Sequence, residues 1–370
     1  MARVGLITFH RAINYGAVLQ TYALQKTIQA HGGECRVIDF RSSSIEDVYK
    51  PFLVRRSSVY SMIGQFVKAL VKYRGKKAKK DKVDPFVDKY LDLTEPITSN
   101  LKDLNADFDL FITGSDQVFN TDLTGKDTDV YLLSFAEKPR YSYAASFGKD
   151  FIAEKDADRI GAELNKYRAI SVRERSGTEI VKTLIGKDAD VHLDPTLLLD
   201  ADEWRQIEKE PEWVREPYIL VYNMLSSRRL YSAALDLSKG KGLKVVFVNN
   251  KSRTYKKQYT DFYYRDDLSP EEFLGLVDHA EYILCSSFHG TVFSILFHKR
   301  FVSVLPKENP KNTRIISLLD TVGLSEKCFC GSLTVQEIEK DVCWDEVDNR
   351  LKMQKTASID YIDSVINGRL

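Results

Sequence analysis

The run Ser286-Ser287-Phe288-His289-Gly290-Thr291 gathers three hydroxyls, an imidazole and a glycine within six residues. The apolar segment Tyr282–Cys285 leads into it and Thr291–Phe297 leads out. A strand feeding a helix through such a turn would aim the backbone N–H groups of Gly290 and Thr291 at an anion. Ser286, Ser287 and Thr291 would add hydroxyls, and His289 could bind phosphate or move a proton near neutral pH. The same residue types also cap helices around a packed histidine, so the turn alone leaves both readings open.

Comparable polar turns are His10–Gly16, Gly114–Asn120, Ser146–Gly148, Arg173–Ser176 and Asp194–Thr196. Loops favour such residues for backbone reasons alone. Together, however, they supply histidines, an Arg-Glu-Arg and several small residues. Asp116, in Gly114-Ser115-Asp116, suits a phosphate-type turn or an N-cap. Arg173 suits a bidentate clamp on carboxylate or phosphate, or an ion pair with Glu174 or Glu179. His192 reads as a strand residue, and His31, His279 and His298 as helix-end residues. Cys328, Cys330 and Cys343 lack a fourth ligand at zinc spacing, so no metal is expected. Walker A, G-x-G-x-x-G, H-E-x-x-H and G-x-S-x-G patterns are absent.

These turns need an α/β frame. Apolar runs at Arg3–Phe9, Cys35–Phe40, Phe108–Thr113, Arg140–Ala145, Ala169–Val172 and Asp190–Leu193 read as buried parallel strands. Helical patterns follow at Ala17–Ala30, Ala153–Lys166 and Ser176–Leu184. The charged, Trp- and Pro-containing stretch Asp202–Pro217 breaks the rhythm. A second series then begins, with strands at Tyr218–Tyr222, Lys244–Val248, Tyr282–Cys285 and Phe301–Leu305. Its helices fall at Arg229–Lys239, Pro270–Asp278, Gly290–Phe297, Asn312–Val322 and, with breaks, Val335–Leu370. The expected fold is two Rossmann-like domains facing across a cleft. The first spans 1–205 and the second 206–345, and a C-terminal helix at 346–370 packs back on the first. In such folds ligands sit at the carboxyl ends of strands.

Composition bounds the rest. The chain has 370 residues, 43% hydrophobic and 29% charged, with a net charge of +1. That excludes a disordered chain and argues against a general nucleic-acid binder. No apolar run reaches the roughly 18 residues of a membrane span. The N-terminus does not read as a secretory signal, and five irregularly spaced Cys form no disulfide framework. A cytoplasmic protein is expected. Residues 55–82 hold ten Lys/Arg and one acid, hence +9, against −8 for the remainder. They interrupt the first domain as an amphipathic face (Val59, Ile63, Phe66, Leu70) followed by a Lys run. This insertion reads as an anchor on an anionic membrane surface, leaving the protein peripheral at the inner face of the cytoplasmic membrane.

The stretches TFHRAINYGAVLQTYALQ, DLFITGSDQVFN, YSYAASFG, ISVRERSG, HLDPTLLL, SSFHGTVFSILFHKRFVSV and KNTRIISLLDTVGL, in this order, resemble the polysaccharide pyruvyl transferase family over about residues 3–324. The resemblance implies the GT-B architecture and transfer of the enolpyruvyl carbons of phosphoenolpyruvate (PEP) onto two sugar hydroxyls. The product would be a pyruvate ketal on an exopolysaccharide or capsule sugar, or on its lipid-linked precursor. PEP is then a co-substrate, and no cofactor or metal is implied. His289 becomes the proton-transfer group, with Asp116 or His10 as the base for the acceptor hydroxyl. Arg173, Ser286, Ser287, Gly290, Thr291, Lys311, Asn312 and Arg314 would hold the donor. Asn14, Tyr15, Gly16, Gln20, Gln117 and Asn120 would face the acceptor. Many relatives carry Arg-x-His where this chain has Ser287-Phe288-His289, so the anion clamp falls to Arg173, Lys311 or Arg314. The alternatives are a nucleotide-sugar glycosyltransferase on the same fold and a non-catalytic glycan-binding relative.

Overall fold

The computed structural model describes residues 1–42, 75, 77–224, 227–248, 261–306, 312–331 and 333–370. The amphipathic half of the basic insertion and Lys311 lie outside these residues, as does the side chain of Asn312.

The first sheet is parallel, in the order β2 (Glu34–Val37), β1 (Arg3–Ile7), β3 (Leu110–Thr113) and β4 (Arg140–Ser142). Bridges from Tyr141 to Ala169 and from Ala145 to Val172 carry it on to β5 (Ser171–Val172), which pairs with β6 (Asp190–Val191). The second sheet is also parallel. It comprises β7 (Tyr218–Tyr222), β8 (Lys244–Val248), β9 (Tyr263–Arg265), β10 (Tyr282–Cys285), β11 (Arg300–Val304) and β12 (Cys328–Phe329), ordered β12-β11-β10-β7-β8-β9. Tyr218–Tyr222 and Tyr282–Cys285 are buried at every position, as strands covered on both faces require.

The helices that position the site are α1 (Tyr15–Ala30), α2 (residues 77–90), α3 (Glu154–Leu164), α4 (Arg175–Ile185), α5 (Arg228–Lys241), α6 (Pro270–Asp278), α7 (Phe288–Leu296), α8 (Asn312–Val322) and α9 (Trp344–Ile366). Several start where side-chain caps dictate. Asn14 accepts from Gly16 N–H at the head of α1, and Ser269 forms a reciprocal capping box with Glu272 at α6. Serine capping also moves the start of α7 to Phe288, two residues before the expected Gly290, because Ser287 Oγ accepts from Gly290 N–H.

The halves share an apolar seam. Trp204 is fully buried, with ring centroids 5.8 Å from Tyr22 of α1 and 5.2 Å from Phe293 of α7. Tyr15 stacks on Phe273 of α6 at 4.8 Å. The last helix joins both halves. Near its start, Asp348 meets His298 at 2.9 Å and Trp344 stacks on that ring. Near its end, Asp363 meets His31 at 3.0 Å and Tyr361 donates to Ser142 O at 2.9 Å.

The structure departs from the sequence reading at the edges. β9 and β12 add short strands to the second sheet. The expected break within residues 335–370 falls between a short helix, Val335–Glu339, and α9. The described end of the Lys run lies on α2, whose lysines meet the protein's own groups. Lys80 pairs with Asp84 at 2.6 Å, Lys82 reaches Glu272 at 3.5 Å, and Lys79 Nζ lies 3.8 Å from the Tyr15 ring centroid. Among the described residues, no helix is long and apolar enough to cross a membrane.

Candidate active site

The carboxyl ends of β3, β5 and β6 meet the head of α7 at one buried cluster. Asp194, just past β6, is its centre. One carboxylate oxygen accepts from Thr196 N–H at 3.1 Å and Thr196 Oγ1 at 2.7 Å. The other accepts from Arg173 Nη1 at 2.7 Å and Ser115 Oγ at 3.2 Å. His289 Nε2, from the second half, stands 3.6 Å from that second oxygen, beyond a hydrogen bond. Burial by itself would raise the Asp194 pKa. His289, Arg173 and the Thr196 hydroxyl overcome it and hold the carboxyl far below the usual range.

Arg173 follows β5, and its guanidinium carbon sits 4.5 Å from the Phe288 ring centroid, a cation–π contact across the seam. Asp116 and Glu174 approach it at 3.7 and 3.8 Å. Asp116 occupies left-handed backbone space at φ 73°, and its carboxylate accepts from Gln117 N–H at 2.8 Å. Arg314 of α8 faces the group across a pocket lined also by His192, Phe288, Ser317 and Gln354, with about 390 Å³ of empty space including its open mouth. Burial and the like charge of Arg173 lower the Arg314 pKa to about 10, which leaves it a cation at neutral pH. It has no hydrogen bond or ion pair among the described residues.

Five of the twelve buried side-chain polar atoms without a hydrogen-bond partner, among the described residues, belong to this cluster. They are Arg173 Nε and Nη2, Glu174 Oε2, His289 Nε2 and Arg314 Nε. Each such atom costs about 1–3 kcal/mol, and folded proteins rarely leave several together. The concentration points to a polar ligand.

The structure thus brings together His289, Asp116, Arg173 and Arg314. Gly16 joins them, because a Cβ on it would lie 1.9 Å from His289 Nδ1. The hydroxyls of the turn are engaged within their own half. Thr291 Oγ1 donates to Ser287 O at 3.0 Å and pairs with Ser303 Oγ at 2.7 Å. Ser286 Oγ lies 3.5 Å from Asn223 Oδ1. Gly290 backs onto Tyr222 and Cys285, where a Cβ would be 3.0 and 3.1 Å from their atoms.

Two of the expected site residues are engaged by partners away from Asp194. Gln20 is fully buried, its amide donating to Thr8 Oγ1, Ala17 O and Thr21 Oγ1. These bonds hold α1 to the loop after β1. His10 is held by Asp39, with Nε2 at 2.9 Å. Arg11 and Arg41 bind the same carboxylate, and His10 and Arg11 hold it well below its usual range against the opposing effect of burial. That cluster shares no partner with Arg173, so Asp116 alone of the two base candidates lies beside His289's partners. Gln117 and Asn120 bond each other at 3.2 Å beside Gly148. Tyr15 is buried in the seam. His192, read as a plain strand residue, lines the pocket and takes its Nδ1 to Ser171 Oγ at 2.8 Å. The sequence reading passed over Asp194, Glu174 and Phe288 as site residues. The Asp194-Pro195 step at a strand end was the available signal.

Two parallel α/β halves closing on a cation–carboxylate–imidazole cluster define a GT-B-like protein. The chain matches the family model for polysaccharide pyruvyl transferase over residues 14–308, and it belongs to that family. No curated protein matches it in sequence. Among solved structures it is similar to UDP-GlcNAc 2-epimerase from Neisseria meningitidis bound to UDP-GlcNAc, with 9% identity, a TM-score of 0.54 and coverage of 100% of this chain and 99% of that one. It is also similar to the S. aureus MnaA–UDP co-structure, with 10% identity, a TM-score of 0.50 and coverage of 97% and 91%. At such identities the likeness is one of fold.

Proposed function

We propose that this transferase uses PEP as donor and closes a cyclic pyruvate ketal on two hydroxyls of a glycan. The observation that carries the proposal is the guanidinium of Arg314, without a hydrogen-bond partner among the described residues, facing Arg173 beside His289. PEP brings a phosphate and a carboxylate, and two cations with free N–H donors suit two anionic groups. Lys311 and Asn312 precede Arg314 in the sequence and would add to the donor side.

His289 gives a proton to the methylene carbon of PEP, and the adjacent carbon becomes oxocarbenium-like. An acceptor hydroxyl adds there and loses its proton to Asp116. The carbon–oxygen bond to phosphate then breaks with its electron pair, and phosphate leaves. The second hydroxyl adds to the same carbon and gives up its proton, which balances the departing phosphate. No oxidation state changes overall, so acid–base and electrostatic groups suffice. Asn14, Gly16, Gln117 and Asn120 border the acceptor side. The acceptor is a surface-polysaccharide sugar or its lipid-linked precursor, and the +9 segment supports contact with an anionic membrane at its cytoplasmic face.

The test is incubation with PEP labelled in its carbon skeleton and a candidate glycan. Label entering the glycan with release of inorganic phosphate is the expected result. Transfer of a sugar from a nucleotide sugar, with no label from PEP, would replace this reading with glycosyl transfer.

A further inference from the structure

We propose that Asp194 is the positioning residue of this site, one carboxylate that sets both Arg173 and His289. The inference rests on the pyruvyl-transfer reading for its kinetic test. Asp194 is buried, and its two oxygens have separate tasks. The Thr196 backbone and hydroxyl occupy the first and stop the carboxylate from turning. The second takes Arg173 at 2.7 Å and Ser115 at 3.2 Å, and presents its remaining side to His289 at 3.6 Å. Neutralising Arg173 does not require this arrangement, since Asp116 and Glu174 already stand 3.7 and 3.8 Å from it. Facing a histidine of the other half does require it.

His289 is confined from the opposite side as well. Its Nδ1 edge lies against Gly16 so closely that a methyl group there would overlap it. The charged groups around the pair are Arg173, Asp116, Glu174 and Arg314. At 3.6 Å the carboxylate favours a proton on Nε2 yet leaves that N–H without a hydrogen-bond partner among the described residues, open to the donor. The carboxylate thus orients the ring, while its bond to Arg173 keeps that guanidinium in the donor pocket. A carboxylate behind a catalytic imidazole is an effective way to hold one tautomer.

A double-mutant cycle on kcat separates this role from mere structural support. Asp194→Asn should lower kcat by about 10-fold or more and His289→Asn by about 10²-fold. The double variant should be no slower than His289→Asn alone, within about 2-fold, because Asp194 acts through the histidine. The KM for PEP should rise in Asp194→Asn, whose Arg173 is released, and Asp194→Glu should recover part of both losses. Independent, multiplying losses, or normal kcat in Asp194→Asn, would overturn the proposal. Should Asp194→Asn not fold, Thr196→Val and Ser115→Ala free the carboxylate without removing it, and normal kcat in both would overturn it equally. Wild-type protein that moves no label from PEP ends the pyruvyl-transfer reading, not this one. The ¹⁵N-imidazole NMR spectrum of His289 then decides: Asp194→Asn should change its tautomer balance, and an unchanged spectrum rejects the positioning role.

Discussion

Gly16 and His289 touch across the seam between the two halves, and only hydrogen at Gly16 fits, since a Cβ would sit 1.9 Å from the imidazole Nδ1. The first helix of one half therefore acts as a stop for the histidine of the other. Gly16→Ala should push the ring off its place or spread the seam. Overpacking of this kind costs about 1–3 kcal/mol, so the melting temperature should fall by a few degrees while turnover falls by about 10²-fold. A crystal structure with the ring unmoved, and normal turnover, would count against this contact.

Arg314 carries opposite expectations for the empty and loaded protein. Its guanidinium has no partner among the described residues. Arg314→Met removes a poorly satisfied charge and should leave the empty protein equally or more stable. The same change should abolish the rise in melting temperature that PEP produces in the wild type, because only a native state that binds a ligand is stabilised by it. A thermal-shift titration reads both effects. Retained PEP stabilisation would remove Arg314 from the donor site.

His289→Asn preserves much of the side chain's size and hydrogen bonding but cannot titrate near neutral pH. Turnover should fall by about 10²-fold or more, with PEP still raising the melting temperature. Near-normal turnover would exclude proton transfer by this residue.

Acid sensitivity follows from two buried carboxylates. Asp39 and Asp194 both have pKa values depressed in the folded state, because their cationic and hydrogen-bonding partners outweigh burial. A depressed carboxylate contributes stability that is complete above its unfolded value of about 3.9 and is lost as pH falls below that. Stability measured by urea melts should therefore hold down to about pH 4 and drop progressively below it. Asp39→Asn should flatten that drop and cost about 3–5 kcal/mol at pH 7, since Arg11 and Arg41 lose their buried partner. An unchanged pH slope in the variant would show that other groups set the acid limit.

Much of this was legible in the sequence because parallel strands are nearly continuous apolar runs. Tyr218–Tyr222 and Tyr282–Cys285 announced themselves, and so did the turns at their ends. The edge strands did not. Tyr263–Arg265 and Cys328–Phe329 are three and two residues long, too short for any periodic signal. Gly16 was legible as part of a run but not as the neighbour of His289, a pairing of residues 273 positions apart that only the closed seam creates. The burial of Gln20 was hidden for a related reason. A polar residue on a helix fully buried along one side reads like a site residue until its partners Thr8 and Ala17 are known. Asp194 was passed over because an Asp-Pro step is ordinary turn chemistry. Its role depends on three other chain segments.

The last helix sets how the two halves can move. Its 23 residues span about 35 Å, with Asp348 fastened to one half and Asp363 to the other. A rod pinned at both ends resists separation but permits twisting. The halves can therefore open the pocket between Arg173 and Arg314 by turning about this rod more easily than by drawing apart. Such a turn shears the contacts of Asp194 and Gly16 with His289 while leaving each half's own hydrogen bonds intact. Access to the donor pocket and alignment of the histidine thus become two readings of a single angle.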